Sequence, residues 1–230
     1  MINFIKQEMY GWNKGEIAWL IIAPSIILGL SLYWGDTLMG IISAVTGVLC
    51  VILTAKGKIS CFFWGTINTV LYALIAYQSK YYGDFMLNMF YFLPFQFIGI
   101  YMWKKNMEDA NVKMKKMTVK QLLMWAVICI VAIIGYGFTL KNMGGALPFV
   151  DSTSTVLSVW AMFVSVKRYT EQWLAWIAID IVTIIMWAVA FAIGGDNIAT
   201  LAMWVVYLAN AVYGYIHWLK NSKEGNSYEI

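Results

Sequence analysis

Four polar side chains stand inside long apolar runs, and their types define the chemistry open to this chain. Asp180 is the only acidic residue deep in such a run, and Asn68, Gln96 and Asn210 are amides in the same setting. Aromatic residues recur beside them at helical spacing. Trp173, Trp176 and Asp180 follow i, i+3, i+7; Trp64, Asn68 and Tyr72 follow i, i+4, i+8. Asn88 pairs with Tyr91, and Tyr207 pairs with Asn210 on a face shared with Gly214. A carboxylate beside indole faces attracts a flat cation through charge and cation–π attraction. Amides add hydrogen bonds that fix the orientation of a ligand. The plainer reading of Asp180 is a protonated carboxyl bonded between helices. The plainer reading of the aromatics is lipid belt or core, and Trp103, Trp125, Trp187 and Trp218 are assigned to it.

Other chemistries lack their residues. There is no Walker motif, no G-x-S-x-G and no H-E-x-x-H. His217 is the only histidine, and Cys50, Cys61 and Cys129 all fall in apolar runs. No metal site, cofactor, disulfide framework or enzyme activity is expected.

The elements that must carry these residues follow from composition. Of 230 residues, 61% are hydrophobic and 12% charged, against roughly 25% charged in a soluble domain. A soluble fold, a disordered chain and a nucleic-acid module are excluded, leaving an all-α integral membrane protein. A span needs about 20 mostly apolar residues, and eight such runs are present: 16–34, 38–55, 59–78, 86–103, 121–140, 150–166, 173–193 and 198–219. Short separators carry turn chemistry, and the one long loop, 104–120, reads as a basic linker. Residues 1–15 read either as an interfacial helix with Ile5, Met9 and Trp12 on one face or as a disordered tail, and not as a secretory signal. Pro24 and Pro94 lie inside spans as candidate kinks, and Ser152-Thr153-Ser154-Thr155 opens the sixth span as a capping and packing run.

With eight spans and a cytoplasmic N-terminus, 14 of the 16 Lys and Arg residues fall on the cytoplasmic side, leaving Lys80 and Lys141 outside. That asymmetry orients the chain with both termini inside. The 1.5 Å rise per residue places Asn68, Asp180, Gln96 and Asn210 about 10–18 Å into their spans, near the midplane. No Lys or Arg stands at comparable depth to neutralise Asp180.

A shift of 112 residues superposes Trp64 on Trp176, Asn68 on Asp180, Lys56 on Arg168 and Gly83-Asp84 on Gly195-Asp196. At a shift of 115, Gly99 meets Gly214 and Trp103 meets Trp218. The expected organisation is an N-terminal segment and extra helix (1–37), a three-helix unit (38–106), a basic loop with a linker helix (107–149), a second three-helix unit (150–221) and a tail (222–230). Four spans separate equivalent positions, so the repeat is parallel, and a substrate would bind between the units near the midplane.

These residues also carry a family resemblance. The stretch Tyr82-Gly83-Asp84-Phe85-Met86-Leu87-Asn88-Met89-Phe90-Tyr91, continued by Gln96-Phe97-Ile98-Gly99-Ile100-Tyr101-Met102-Trp103, resembles the PnuC family of bacterial vitamin transporters. So do Glu171-Gln172-Trp173-Leu174-Ala175-Trp176 with Asp180, and Asn210-Ala211-Val212-Tyr213-Gly214-Tyr215-Ile216-His217-Trp218. The resemblance covers roughly 38–220. It implies a SWEET-like 3+1+3 fold, a homotrimer in the bacterial inner membrane, and facilitated diffusion of nicotinamide riboside, trapped afterwards by a separate cytosolic kinase. It assigns Asn88, Tyr91, Trp173 and Trp176 to substrate binding; the depth and spacing readings add Asn68, Gln96, Asp180, Tyr207 and Asn210. The second unit does not repeat Asn-x-x-Tyr, since Thr200 and Met203 stand there, which suits an asymmetric ligand. Thiamine, and less well the neutral riboflavin, are alternative substrates. A sugar carrier and a non-transporting membrane receptor of related fold are the other readings weighed.

Overall fold

The computed structural model describes residues 2–78, 82–108, 110–144, 148–192 and 198–225, and among these it is helical almost throughout. The helices are α1 (Ile2–Met9), α2 (Lys14–Tyr33), α3 (Leu38–Lys56), α4 (Cys61–Gln78), α5 (Tyr82–Leu87), α6 (Leu93–Lys104), α7 (Val119–Asn142), α8 (Pro148–Val166), α9 (Gln172–Ala192) and α10 (Ile198–Gly225). Two short antiparallel strands, β1 (Met107–Glu108) and β2 (Asn111–Val112), lie between α6 and α7. Five described helices are long and apolar enough to cross a membrane: Lys14–Tyr33, Leu38–Lys56, Asp84–Lys104, Val119–Asn142 and Pro148–Val166. The chain is an all-α multi-pass membrane protein.

Helix ends are fixed by local chemistry. Asn13 and Glu16 form a capping box at the start of α2, and Thr118 and Gln121 form one at the start of α7; each satisfies amide groups that the first turn leaves unpaired. Gly57 closes α3 in the left-handed region, at φ 75°, where a side chain is costly. Pro24 sits inside an unbroken α2. Ser152, fully buried, donates to Ile133 O at 2.6 Å and ties α8 to α7, an interhelical packing contact from the Ser/Thr run.

Around the centre, α3 packs on α4, α2 and α10; α8 packs on α9, α7 and α6; and α9 packs on α10. Two expectations change. The fourth span is not one regular helix: Asn88–Phe92 form a π-helical turn between α5 and α6, directly before Pro94. Proline cannot donate its backbone hydrogen bond, and the ladder widens one turn earlier instead of simply bending at the ring.

The second change concerns the 104–120 loop, which is a built strap and not a basic linker. Ala110, Val112, Met114 and Met117 are buried in it. It bonds both neighbouring loops. Val112 N donates to Gly57 O at 3.0 Å; Lys115 N donates to Arg168 O and Thr170 N to Lys115 O, both at 2.8 Å. Arg168, held at φ 69°, donates Nη1 to Lys113 O at 2.9 Å. Glu171 accepts from Met117 N at 3.1 Å, and burial raises the pKa of its carboxyl. The strands are two residues long, too short to register as a periodic pattern in sequence.

Lys58 is fully buried at the junction of three segments. Its ammonium donates to Gln7 O at 2.9 Å, Tyr10 O at 2.8 Å and Ala110 O at 3.1 Å. Beside it Ser60 donates to Glu8. Of the interfacial face proposed for residues 1–15, Met9 is exposed and Trp12 is half-buried with Nε1 donating to Glu8 O; the Ile5 side chain lies outside the described residues. The helical alternative for this segment is the one adopted, and it is anchored to the α3–α4 loop. Replacing Lys58 by Met leaves three carbonyls without their shared donor. We expect Lys58→Met to lose about 2–4 kcal/mol of stability, read as a lowered melting temperature in detergent and faster proteolysis within 105–118.

Candidate functional site

Six helical segments converge on one cavity of about 270 Å³, close to the lower end of the roughly 300–1,000 Å³ seen for small-molecule sites. From α3 come Gly47, Cys50 and Thr54; from α4, Asn68 and Thr69; from the π turn and α6, Asn88, Phe92 and Gln96. From α8 come Met162 and Ser165; from α9, Gln172, Trp173, Trp176 and Asp180; from α10, Trp204, Tyr207 and Asn210. Eight of the nine residues singled out in the sequence therefore line one space. Tyr91 does not line it. Its hydroxyl donates to Val159 O on α8 at 2.8 Å and its ring lies 4.4 Å from that of Phe95. The π turn is the reason. In a regular helix Asn88 and Tyr91 share a face, but the widened turn brings Phe92 into line with Asn88 instead.

The amides share a pattern. Asn68 Nδ2 donates to Ser43 O at 2.8 Å, and Asn88 Nδ2 to Asp84 O at 2.8 Å. Gln96 Nε2 donates to Thr69 Oγ1 at 3.4 Å, and Asn210 Nδ2 to Val51 O at 3.0 Å. Each amide spends donor capacity on the protein and keeps its carbonyl oxygen. The buried Oδ1 of Asn210 and Oε1 of Gln172 have no partner among the described residues. Thr54 also spends its hydroxyl proton, on Cys50 O. Asp180 is 4% exposed, and no ion pair or hydrogen bond to its carboxyl occurs among the described residues. No Lys, Arg or His stands among the described lining residues. The described lining thus holds two buried acceptors without a partner and one carboxyl group. The buried indole Nε1 of Trp173 is an unpartnered donor in it.

Glycines make the room. A Cβ on Gly47 would stand 2.9 Å from Asn68 Nδ2 and 3.1 Å from the Tyr207 hydroxyl. A Cβ on Gly65 would stand 2.8 Å from both polar atoms of Gln96. One on Gly214 would meet the Trp173 ring at 2.7 Å. Gly47, Cys50, Thr54, Thr69, Phe92, Gln172 and Trp204 are lining residues that the sequence reading missed. Gln172 adjoins Trp173 and offered a signal, while the small residues of α3 carry none that separates lining from packing. Trp103 and Trp218 are fully buried core and Trp125 is half-buried against Phe163; the Trp187 side chain lies outside the described residues. Among the described residues no cluster of His, Cys, Asp and Glu could hold a metal ion.

Known proteins resemble this chain in sequence and fold. Residues 37–220 match the family described as nicotinamide mononucleotide transporter. The nicotinamide riboside transporter PnuC of Neisseria mucosa is 40% identical over 223 residues, covering 94% of this chain and 85% of that protein. The nicotinamide riboside transporter PnuC of Haemophilus influenzae is 34% identical over 227 residues, covering 96% and 97%. A crystal structure of the vitamin B3 transporter PnuC superposes with a TM-score of 0.83 at 38% identity, covering 98% of this chain and 99% of that one. By a family match spanning most of its length, and by relatives matched nearly end to end, the chain belongs to the PnuC family of membrane transporters.

Proposed function

We propose that this protein carries nicotinamide riboside across the bacterial cytoplasmic membrane by facilitated diffusion. The observation that carries this reading is Asp180: a buried carboxyl without a countercharge among the described residues, placed with Trp173 and Trp176 on one cavity wall. The riboside supplies what the cavity lacks. Its pyridinium ring is a flat cation for the indoles and the carboxylate. Its carboxamide N–H₂ and ribose hydroxyls are donors for the amide oxygens, and the Trp173 indole N–H suits the carboxamide oxygen.

The same chemistry chooses between the two ligands that relatives are named for. A mononucleotide adds a phosphate, which needs cations or clustered N–H donors. The described lining holds no Lys, Arg or His and a single buried, unpartnered N–H, that of Trp173, and it holds a carboxylate that repels the added charge. The cavity therefore favours the riboside. Its size favours a nucleoside over the larger riboflavin. Thiamine, also a flat cation, is the closest competitor.

In this reading eight helices cross the bilayer: α2 as the extra helix, α3, α4 and α5–α6 as one unit, α7 as linker, and α8, α9 and α10 as a second unit in the same orientation. Both termini lie in the cytoplasm. The two units move relative to one another around the central site, three protomers form the assembly, and a separate cytosolic kinase traps the imported riboside.

Proteoliposomes of the purified protein should take up labelled nicotinamide riboside saturably. Excess unlabelled riboside should block it, and excess mononucleotide should not. Uptake blocked equally by the mononucleotide would reject the charge argument. Asp180→Asn should weaken riboside binding by about 10–100-fold, the range for losing a desolvated opposite charge, and more than Asn210→Asp does. Equal calorimetric affinities of Asp180→Asn and wild type would remove the counter-ion role. Gly47→Ala should gain helix propensity of up to about 1 kcal/mol yet bind riboside at least about tenfold more weakly, because its methyl displaces Asn68 and Tyr207. A fully stable Gly47→Ala protein with wild-type affinity would show that those two side chains do not need their present positions.

A further inference from the structure

The floor of the cavity is closed by two tryptophans that the substrate site does not use. Trp103, on α6, is fully buried and donates Nε1 to Ser165 O on α8 at 3.1 Å. Trp218, on α10, is fully buried and donates Nε1 to Thr54 O at 3.1 Å and Ala55 O at 3.0 Å on α3. The two bonds are reciprocal. The last helix of each three-helix group holds the first helix of the other.

The surroundings repeat the reciprocity. Four residues before each tryptophan stands a glycine covered by an aromatic ring: Phe62 on Gly99, where a Cβ would come within 2.1 Å of the ring, and Trp173 on Gly214, within 2.7 Å. The indoles meet each other at 5.7 Å between centroids, and each packs edge-on to its covering ring, Phe62 at 4.8 Å and Trp173 at 6.2 Å. Thr54, Phe62, Ser165 and Trp173 all line the cavity, so the indole pair lies one layer below it. Under the pair lie Val112 and Met114 of the strap, in the same apolar cluster.

We propose that Trp103 and Trp218 are the two halves of an inner gate, each indole N–H latching one helix group to the other, and that the cavity opens to the cytoplasm when both indoles leave their carbonyls. This rests on the transporter reading given above. Two features argue for a latch over inert packing. The accepting carbonyls belong to the last turns of α3 and α8, and when the indole leaves, Ser165 O keeps the N–H of Arg168 at 2.8 Å and Thr54 O that of Gly57 at 3.0 Å. Such groups are satisfied by water once the end is wetted, so the bonds can be broken without stranding a polar group in apolar surroundings. Moreover, the strap bonds the α3–α4 loop through Gly57 and Lys58 and the α8–α9 loop through Arg168 and Thr170. These four helices are tied together at that end by the strap, whereas the last turns of α6 and α10 reach the opposite helix group through the indole bonds. Those ends carry the two tryptophans.

The cavity contains its own reporters. Cys50 and Cys61 line it, while Cys129 lies in a separate cluster. In a Cys129→Ala background, inverted membrane vesicles are treated with a membrane-impermeant thiol reagent in the absence of substrate. Trp103→Phe and Trp218→Phe keep a ring and lose the donor. Each should raise labelling of the two cavity cysteines from the cytoplasmic face by about fivefold, the shift expected for one lost hydrogen bond. The double variant should raise it further, and labelling of right-side-out vesicles should not rise. Riboside affinity should stay within about threefold of wild type, a change smaller than one hydrogen bond. Should either Phe variant fail to fold, Gly99→Ala decides: its methyl drives Phe62 and α6 apart while both indoles remain, and labelling should rise in the same way. Unchanged cytoplasmic labelling in the folded variants overturns the gate. Loss of riboside binding by the wild type would instead overturn the substrate reading and leave the labelling result standing.

Discussion

A carboxyl group buried in a cavity with nothing of opposite charge beside it is expensive, and among the described residues Asp180 is such a group. Insertion of an acidic side chain at this depth costs on the order of 2.5–3.5 kcal/mol, and no pairing within the described protein recovers it. The surrounding architecture is the consequence. Helices from both halves of the chain must enclose the acid to keep lipid away from it. Their close approach needs glycine at Gly47 and Gly65, where any side chain would strike an amide of the lining. The amides in turn must be anchored, because an amide with neither end satisfied would add a second unpaid desolvation cost. Each of the four donates to a protein acceptor, and the buried Asn210 Oδ1 is left without a partner among the described residues.

The basic residues of the loops and termini do two jobs. In the sequence they orient the chain, and a positive-inside count treats them as interchangeable. In the fold several are individually committed. Lys56 bridges to Glu16 at 2.7 Å and its ammonium stands 5.8 Å from the centre of the Trp12 ring; Tyr213 also donates to Glu16. Lys58 gathers three carbonyls, and Arg168 reaches into the strap. A buried ion pair of this kind adds little net stability over an apolar substitute, but losing one partner is costly. Its effect here is to fix α2 against α3 and α10 in one arrangement.

Much of the site was legible because depth is legible. In a helix of 1.5 Å rise, a polar residue counted from the end of an apolar run has a known position across the bilayer, and Asn68, Gln96, Asp180 and Asn210 were found by that count alone. Trp173, Trp176 and Tyr207 followed from helical spacing to those residues. Spacing failed at Tyr91, where a π turn replaced the regular geometry that the i, i+3 rule assumes. Depth failed for the α3 lining, because Gly47, Cys50 and Thr54 look the same whether they face a cavity or a neighbouring helix. The strap was missed for a different reason. Its order comes from hydrogen bonds to Gly57, Arg168 and Glu171, residues distant in sequence, and its lysines concealed the four buried apolar side chains between them.

An acceptor-rich cavity also bears on how tightly a carrier should hold its cargo. A site that satisfied a ligand completely would bind it well and release it slowly, since residence time follows affinity. Here the amide donors are already bound to the helices and do not rearrange to meet a ligand. The oxygens that remain are fixed in place, so little ordering is lost on binding. The cost of isolating Asp180 is relieved only when a cation is present, and it returns when the cation leaves. That returning cost weakens the empty state relative to the loaded one and ties selectivity to charge more than to shape. A cavity floor made of hydrogen bonds to helix ends fits the same economy: each bond is firm while dry and replaceable once water arrives. In the proposed reading, charge selects the ligand at the centre, and hydration at the Trp103–Trp218 end governs its exit.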